Sequence, residues 1–493
     1  MKRVDIPQSR CLAGVTRDDI TPPVGIYHRM WGAAMHDRST GVHRPLTATA
    51  LYLSSRHGER LGKDGKVIVA LDHCLFRSEE MNELVDRVSS AASIPRDAII
   101  VFFSHTHAAG LMDRRRSELP GGDLIGPYLD SLATKLAALV REARDSQQPA
   151  SIVYGVGRCD LARSRDYFDA ERGEYVCGYN PEGEADDAVV VGRITDDGGK
   201  PLATIVNYAC HPTTLAWENT LISPDYIGAT REVVEQATGA PCLFVQGASG
   251  DVGPRDGFVG DVAVADRNGR QLGYAVMSAV ESMPTPGTSY EYTGPVISGA
   301  TLGIWKYIPV SADRRKDIDI WESRRVVIPL KYRDDLPKRD DLERERKQWS
   351  TREAEARAAG DDVRVRDARA MVERMARSLS RIRHLPPGDE CPYAFDIIRI
   401  GDAVWLGLNG EHYNRLQREI RRRFAQTPIF VGTLANGSGV SYLLDSGSYG
   451  KGLYQEKVSV LAKGSLDRLV EAIADEIQRM GIAIRGSMSC GGS

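Results

Sequence analysis

Hydrophobic and polar positions follow two alternating periods from about residue 67 onward, and these periods predict strands and helices in turn. Short runs of β-branched and aromatic residues predict strands, whereas longer segments with apolar positions three and four residues apart predict helices. Strands separated by helices predict an α/β fold with a mixed, largely parallel sheet flanked by helices. The first predicted elements are strand 67–71, helix 78–92, strand 98–103, helix 128–146 and strand 151–156.

The same alternation continues through most of the remaining chain. It is interrupted once, after residue 314, and it ends before the last residues, which are rich in glycine and serine. The pattern therefore predicts a core that is built from two separate parts of the sequence. The further predicted elements are strands 189–194, 203–208, 242–245, 397–400, 404–408 and 429–431, and helices 226–236, 413–424 and 466–480.

Charged side chains dominate the interruption, where Arg, Lys, Glu and Asp leave only sparse apolar positions. The charges alternate in sign, so we predict a solvated helical hairpin inserted into the core domain rather than an arm that binds nucleic acid. A chain of 493 residues also exceeds what one simple core usually holds. The predicted organisation is a core over 1–314 and 386–485, a charged helical insertion over 315–385, and a flexible tail over 486–493.

Composition narrows the range of partners. The formal net charge of −3 arises from 64 basic and 67 acidic residues, which predicts no broad basic field for nucleic acid. The amino terminus lacks the apolar core of a signal peptide and no later segment resembles a membrane span, so we expect a cytoplasmic protein without stable membrane association. Its eight cysteines lack CxxC spacing and are expected to be free thiols. A small-molecule substrate is predicted, whereas the oligomeric state is not indicated.

Histidines follow two of the predicted strands. Ser104-His105-Thr106-His107 follows strand 98–103, and side chains two residues apart on a strand share a face, so the two imidazoles should meet. His211 follows strand 203–208, and Glu411 follows strand 404–408 after an Asn-Gly turn. Imidazole and carboxylate groups are zinc ligands, although histidines can also bond within a turn and an acidic residue can cap a helix.

Several motifs in order resemble the neutral/alkaline ceramidase family of zinc-dependent hydrolases of N-acyl linkages. The resemblance is to the catalytic domain of the family and extends through most of the chain. Its order is more specific than any single motif. The matching segments are 13–15, 19–23, 41–46, the His-Thr-His motif at 105–107, 207–212 around His211, 409–411 ending in Glu411, and 435–437 followed by Tyr442, Tyr449 and Tyr454.

The resemblance implies a site and a reaction. It implies one Zn²⁺ held by His105, His211, Glu411 and Tyr442, with a metal-activated water that cleaves an amide bond. It also implies that His107 stabilises the oxyanion or protonates the leaving group. Arg163 and either Tyr449 or Tyr454 would orient the substrate.

One departure from the family concerns a serine that is thought to take part in amide cleavage. Here Gly253 occupies that position, and Ser249 is a weak substitute because it lies in a Gly-rich loop. No segment of the sequence resembles the family's immunoglobulin-like domain, so we expect a small, soluble, anionic or polyhydroxylated substrate rather than ceramide. Cleavage of an ester, a lactone or a sugar derivative, elimination, and a non-catalytic metal-containing binding protein remain alternatives.

Overall fold

Two β-sheets packed face to face form the centre of the structure, a computed structural model that describes residues 2–56 and 65–484. Apolar side chains from both sheets meet between them, among them Ile68, Ile152, Trp405 and Phe430. Helices cover the outer face of each sheet. The layers therefore follow the order helix, sheet, sheet, helix, which confirms the predicted mixed α/β class.

The larger sheet, here called the main sheet, has eight strands. Five of its seven neighbouring pairs are antiparallel and two are parallel, so the predicted predominance of parallel strands is wrong. Hydrophobic periodicity reports burial and not strand direction, which explains the error. In spatial order the strands are Cys242–Gln246, Pro201–Tyr208, Ala188–Asp196, Gln148–Arg158, Gln8–Asp19, Thr47–Ser54, Lys66–Leu71 and Ile99–Phe103.

Side chains alternate between the two faces of the main sheet. Val67 and Val69 pack against helices, whereas Ile68 and Ile100 face the second sheet. In the described part of the chain, helices therefore flank one face of this sheet, and a second sheet takes the place of the helices expected on the other. The helices on the outer face are Ser78–Ala92, Ile125–Asp145, Tyr226–Thr238 and Val262–Glu281.

The second sheet contains four strands and packs its outer face against two helices. Asn207 connects the sheets, because its side-chain amide donates to the carbonyls of Val245 and Val431 and its oxygen accepts from the Val431 amide, each at 2.9 Å. The strands in spatial order are Trp321–Lys331, Glu390–Ile400, Ala403–Leu408 and Ile429–Gly432, and the helices are Arg415–Arg423 and Ser465–Arg479.

The charged segment is only partly a helical hairpin. Its first part includes Trp321–Lys331, an edge strand of the second sheet, and its second part forms helices Arg339–Ala358 and Asp362–Arg383. The strand escaped prediction because charged residues fill its first half, and its inward apolar positions come only later, at Val326, Ile328 and Leu330. We call helix Asp362–Arg383 the cover helix, since it lies over the cleft described below.

Three further findings concern the described chain as a whole. The predicted flexible tail at 486–493 lies outside the described residues. Seven cysteines are free thiols in the described part, six of them buried. Every described helix is too short or too polar to cross a bilayer.

The remaining helices and strands are Ala312–Ile318, Tyr454–Val458, Arg3–Val4, Gly41–Val42, Ala162–Ser164, Asp166–Asp169, Glu174–Cys177, Leu221–Ile222, Val252–Pro254, Thr288–Ser298, Ala300–Pro309, Glu411–His412 and Tyr442–Leu443.

Twist of the main sheet explains how distant strand ends can meet. Ile99–Phe103 and Pro201–Tyr208 run in opposite directions within the sheet order, so a flat sheet would place their carboxyl ends at opposite edges. A right-handed twist of roughly 20–25° per strand pair amounts to about half a turn over seven pairs. The edge strands Cys242–Gln246 and Ile99–Phe103 accordingly contact each other. The residues that follow both carboxyl ends thus reach one cleft.

Candidate metal centre

Three predicted ligands converge at this cleft. His105, His211 and Glu411 each present a ligand atom, and these atoms lie within 4.8 Å of one another. The imidazole centroids of His105 and His211 are 4.4 Å apart, and all three side chains are buried. Side chains from both sheets therefore enclose a volume of the size that one metal ion requires.

The backbone turns sharply at His105. Strand Ile99–Phe103 ends two residues earlier, and His105 adopts a left-handed conformation with φ of 68°. Its Nδ1 donates to the carbonyl oxygen of Cys74 at 2.7 Å, which directs Nε2 into the cleft. The His105 and His107 rings do meet, with centroids 4.9 Å apart, but a turn and not strand alternation brings them together.

His211 is held in a similar way by a different loop. Its Nδ1 donates to the carbonyl oxygen of Ser249 at 3.2 Å, leaving Nε2 with a free lone pair. Burial, assisted by the neighbouring Arg165 guanidinium, holds the pKa of His211 well below its ordinary value. His211 is therefore a neutral imidazole, the form that binds metals.

Glu411 follows a glycine turn that only glycine can make without strain. Gly410 has φ of +102°, and a Cβ there would lie 2.8 Å from the Ser441 carbonyl oxygen. The next residue, Glu411, pairs in register with Tyr442 on a short parallel strand, and the two side chains are hydrogen-bonded. Tyr442 thus lies beside the three ligands, where the sequence placed a fourth.

The charges of this group fit a bound cation. With Nδ1 of His105 donating to a carbonyl, its Nε2 faces a carboxylate oxygen of Glu411 at 3.3 Å. Burial would raise the pKa of Glu411, but the charge and hydrogen bond of His105 lower it to about 2. A positive charge between the carboxylate and the imidazole nitrogen, either a proton on His105 or a bound cation, therefore stabilises this arrangement. Two imidazoles and a carboxylate are a donor set that zinc accepts.

His107 borders the same cleft without belonging to that set. Its Nδ1 donates to the His105 carbonyl oxygen at 2.9 Å, which leaves Nε2 available. Its ring centroid lies 5.0 Å from that of His211. Cys74, His105 and His107 form a second group of potential ligands, with the Cys74 sulfur 3.4 Å from the His105 Nδ1. A metal there would compete for the nitrogen that already bonds the Cys74 carbonyl.

Arg165, rather than the predicted Arg163, lies beside the ligands, so the prediction of Arg163 requires correction. Arg163 bonds the Asp160 carboxylate at 2.8 Å and its side chain is about one-third exposed. Arg165 is buried two residues later, and it donates to the Gly250 carbonyl at 2.6 Å and to the Tyr442 hydroxyl at 3.2 Å. Strand Ala162–Ser164 ends between the two arginines, which spacing alone does not reveal.

Replacement of Arg165 by methionine is expected to lower kcat/KM about 10- to 100-fold, the effect of losing one charge-assisted hydrogen bond in a buried cleft. The matched variant Arg163→Met should stay within about twofold of wild type, because exposed ion pairs contribute little. Steady-state kinetics on both variants, with thermal unfolding to verify folding, tests this assignment. Equal losses in the two variants would contradict it.

The two predicted orienting tyrosines occupy different environments. Tyr454 borders the cleft, with its ring centroid 6.1 Å from that of Tyr442. Tyr449 donates its hydroxyl to the Leu461 carbonyl at 2.9 Å and packs against the core beneath the second sheet. Only Tyr454 of this pair can contact a molecule in the cleft, so the structure does not support a substrate role for Tyr449.

Gly253 leaves open space beside the ligands. A Cβ at this position would lie 3.5 Å from the Thr213 hydroxyl and 3.9 Å from the His211 Cβ, which are ordinary contacts. Ser249 does not line the cleft, and its hydroxyl accepts from the Gln246 side-chain amide at 2.6 Å, so the structure gives it no place beside the ligands. Asp251 is partly buried and accepts from the Asn414 backbone amide, and its removal from solvent raises its pKa to about 7. Asp251 therefore anchors the loop.

Two adjoining cavities open beside the ligands. One of about 350 Å³ is bordered by His107, His211 and Tyr442, and a smaller one of about 60 Å³ is bordered by His105 and Glu411. The sequence analysis did not predict the residues outside the family motifs that line these cavities. The arginines of the cover helix could have been noticed in the sequence, because residues three and four positions apart share one face of a helix. The missed residues include Trp31, Arg77, Phe258, Met371, Arg374, Arg377 and Arg381.

Comparison with solved structures shows the same fold elsewhere. The neutral ceramidase from Pseudomonas aeruginosa superposes with a TM-score of 0.61, covering 98% of this chain and 76% of that chain at 14% identity. A ceramidase complexed with C2 gives a TM-score of 0.62 at 13% identity. At such identity these matches show the fold alone.

Sequence comparison reaches curated proteins as well. Neutral ceramidase A of Dictyostelium discoideum is 28% identical over 51% of this chain and 38% of its own length. Neutral ceramidase 1 of Arabidopsis thaliana is 24% identical over 46% of this chain and 29% of its own length. The chain thus matches about a third of the length of these relatives. The sequence model of one family, described as neutral/alkaline non-lysosomal ceramidase, N-terminal, matches residues 11–259, and because this is half of the chain, the protein belongs to that family.

Proposed function

We propose that this protein is a metal-dependent hydrolase that cleaves an amide (N-acyl) bond of a small substrate. The observation that carries the proposal is the convergence of His105, His211 and Glu411 beside a cleft that also holds His107. Family membership supports the same reaction, because the curated relatives are named neutral ceramidases.

Zn²⁺ is the proposed metal, and one ion fits the site. His105, His211 and Glu411 would hold it, and Tyr442 is the proposed fourth ligand from its position beside Glu411. When bound, zinc would activate a water molecule and polarise a carbonyl group. The backbone carbonyls of Cys74 and Ser249 orient both imidazoles, an arrangement typical of metal-binding histidines.

The remaining side chains have roles that follow from their positions. In amide hydrolysis water adds to the carbonyl carbon, the carbon–nitrogen bond breaks, and the amine nitrogen takes up a proton. His107 is the proposed donor of that proton, or of a hydrogen bond to the oxyanion, through the Nε2 that faces the cleft. Arg165 and Tyr454 are the proposed substrate-orienting residues.

A second candidate function is favoured by Gly253. The family's serine is absent and the space beside His211 is open, so the same metal scaffold is also suited to an ester, a lactone or a sugar derivative. The cationic Arg165 agrees with an anionic or polyhydroxylated substrate in either case.

A substrate panel distinguishes these functions. The zinc-loaded protein should release free amine from N-acyl substrates, and the Glu411→Gln variant, whose amide is a weaker ligand of similar shape, should not. Cleavage of matched esters or lactones in preference to amides would favour the second candidate. Bound metal without turnover of any compound would contradict both and favour a binding protein.

A further inference from the structure

The cover helix contributes one face to the cleft, although its sequence predicts a solvated helix. Arg374, Arg377 and Arg381 are three and four residues apart, which places them on one side of the helix. Arg374, Arg377 and Arg381 border the larger cavity, and the last two also border the smaller one. Arg77, which precedes helix Ser78–Ala92, joins them at the smaller cavity.

Most of this positive charge lacks an acidic partner. Arg377 bonds the Glu373 carboxylate at 2.8 Å, and Glu373 also bonds Arg116. Within residues 2–56 and 65–484, in contrast, no carboxylate lies within salt-bridge distance of Arg77, Arg374 or Arg381. Arg381 donates a hydrogen bond to the Ser378 hydroxyl at 3.3 Å.

The balance of charge around the two cavities is therefore strongly positive. Five arginines border them, and the acidic residues that do so are two glutamates, each already bonded to another side chain. A divalent cation at His105, His211 and Glu411 would add to this excess of positive charge. Guanidinium groups at low solvent exposure require an anion, and their planar fork matches a carboxylate.

The cavity volumes indicate which part of a substrate carries that anionic group. The smaller cavity of about 60 Å³ has the volume of roughly two water molecules. It contacts His105 and Glu411 as well as Arg77 and Arg381, so it holds a group of few atoms next to the reacting carbonyl. The larger cavity of about 350 Å³ has apolar walls from Trp31, Phe258 and Met371, which suit an acyl chain.

We infer that the substrate is an N-acyl amino acid, with its carboxylate bound by Arg77 and Arg381 in the smaller cavity and its acyl chain in the larger one. This inference rests on the proposed amide hydrolysis and names its substrate class. Arg374, at the larger cavity, attracts the anionic substrate to the cleft. The products are a fatty acid and a free amino acid.

The test compares two substrates of equal shape. In N-isobutyloctanamide a neutral branched group replaces the carboxylate of N-octanoylglycine. Wild type should cleave the glycine conjugate at least about tenfold better in kcat/KM, and Arg381→Gln should reduce this preference about 10- to 100-fold, chiefly through KM. Arg381→Lys should restore part of it. Arg364→Gln, an exposed cover-helix arginine, is the matched control.

Three kinetic results would overturn the inference. They are equal cleavage of the two amides by wild type, an unchanged preference in Arg381→Gln, and better cleavage of the aminomethylphosphonate conjugate than of the glycine conjugate. The last result would assign the cavity to a phosphate-like group.

A binding measurement separates this inference from the proposed function. In 4-oxoundecanoate a methylene group replaces the amide nitrogen of N-octanoylglycine, so the compound cannot be hydrolysed. Calorimetry should show that it binds wild type at least about tenfold more tightly than Arg381→Gln. Such binding without turnover of any amide would contradict amide hydrolysis and retain the anion site. Equal binding to both proteins would overturn the anion site, whatever the turnover.

Discussion

The His211→Ala variant is expected to lose its bound metal and its hydrolytic activity together. His211 supplies one of two imidazoles in a buried donor set, and its removal leaves one imidazole and one carboxylate as the closest ligands. We expect stoichiometric zinc in the wild type, little in the variant, and a fall in kcat of at least about 10³-fold. Elemental analysis of protein purified without chelator or histidine tag, together with steady-state kinetics, measures both quantities.

A folding control accompanies that comparison. Zinc should raise the melting temperature of the wild type and not that of His211→Ala, because a ligand stabilises only the state that binds it. His384→Ala, which removes a histidine paired with Glu79 away from the ligands, should retain metal and activity. A His211→Ala protein that keeps stoichiometric zinc would contradict the ligand assignment.

The His107→Ala variant is expected to lose catalytic rate as well, but to retain its bound metal. His107 borders the cleft, but its nitrogens are not part of the group formed by His105, His211 and Glu411. Loss of a general acid or hydrogen-bond donor typically lowers kcat by about 10²–10⁴-fold, with a smaller effect on KM. Metal analysis and kinetics on the same preparation test this prediction.

The role of His107 can be separated from a purely structural one. If it donates the proton to the leaving nitrogen, amides with more acidic leaving amines should lose less rate in His107→Ala than amides of ordinary amines. Loss of metal in this variant would instead indicate that Cys74, His105 and His107 hold the ion.

Much of the fold follows from periodicity in the sequence. Helix Ser78–Ala92 has the predicted bounds, and most other elements differ by a few residues, because their apolar stripes face one core. Strand direction does not follow, since antiparallel and parallel strands bury the same residues. Trp321–Lys331 was missed because its first half carries the charges of a solvated segment.

The site was predictable where motif and strand end coincide. His105, His211 and Glu411 each follow a buried strand, and the structure brings them together. The sequence analysis chose Arg163 and missed Arg165. The end of a short strand decides which of the two side chains turns inward, and the sequence does not show where that strand ends. The cover helix was placed in solvent because sequence shows which residues share its face and not what that face contacts.

Motif residues also have structural roles that the sequence does not reveal. Asn436 accepts from the Val101 amide at 2.8 Å and donates to the Ile99 carbonyl at 3.2 Å. It thereby attaches the second sheet to the strand that leads to His105. Asn207 makes the equivalent connection on the strand that leads to His211. These asparagines hold the two sheets in the register that the metal site requires.

The most direct test of the metal centre is a crystal structure of the wild-type protein grown with zinc, with anomalous diffraction measured at the zinc edge. We predict one strong peak about 2.0–2.2 Å from Nε2 of His105, Nε2 of His211 and a carboxylate oxygen of Glu411. A peak bonded instead to the sulfur of Cys74, or no peak beside His211, would contradict it.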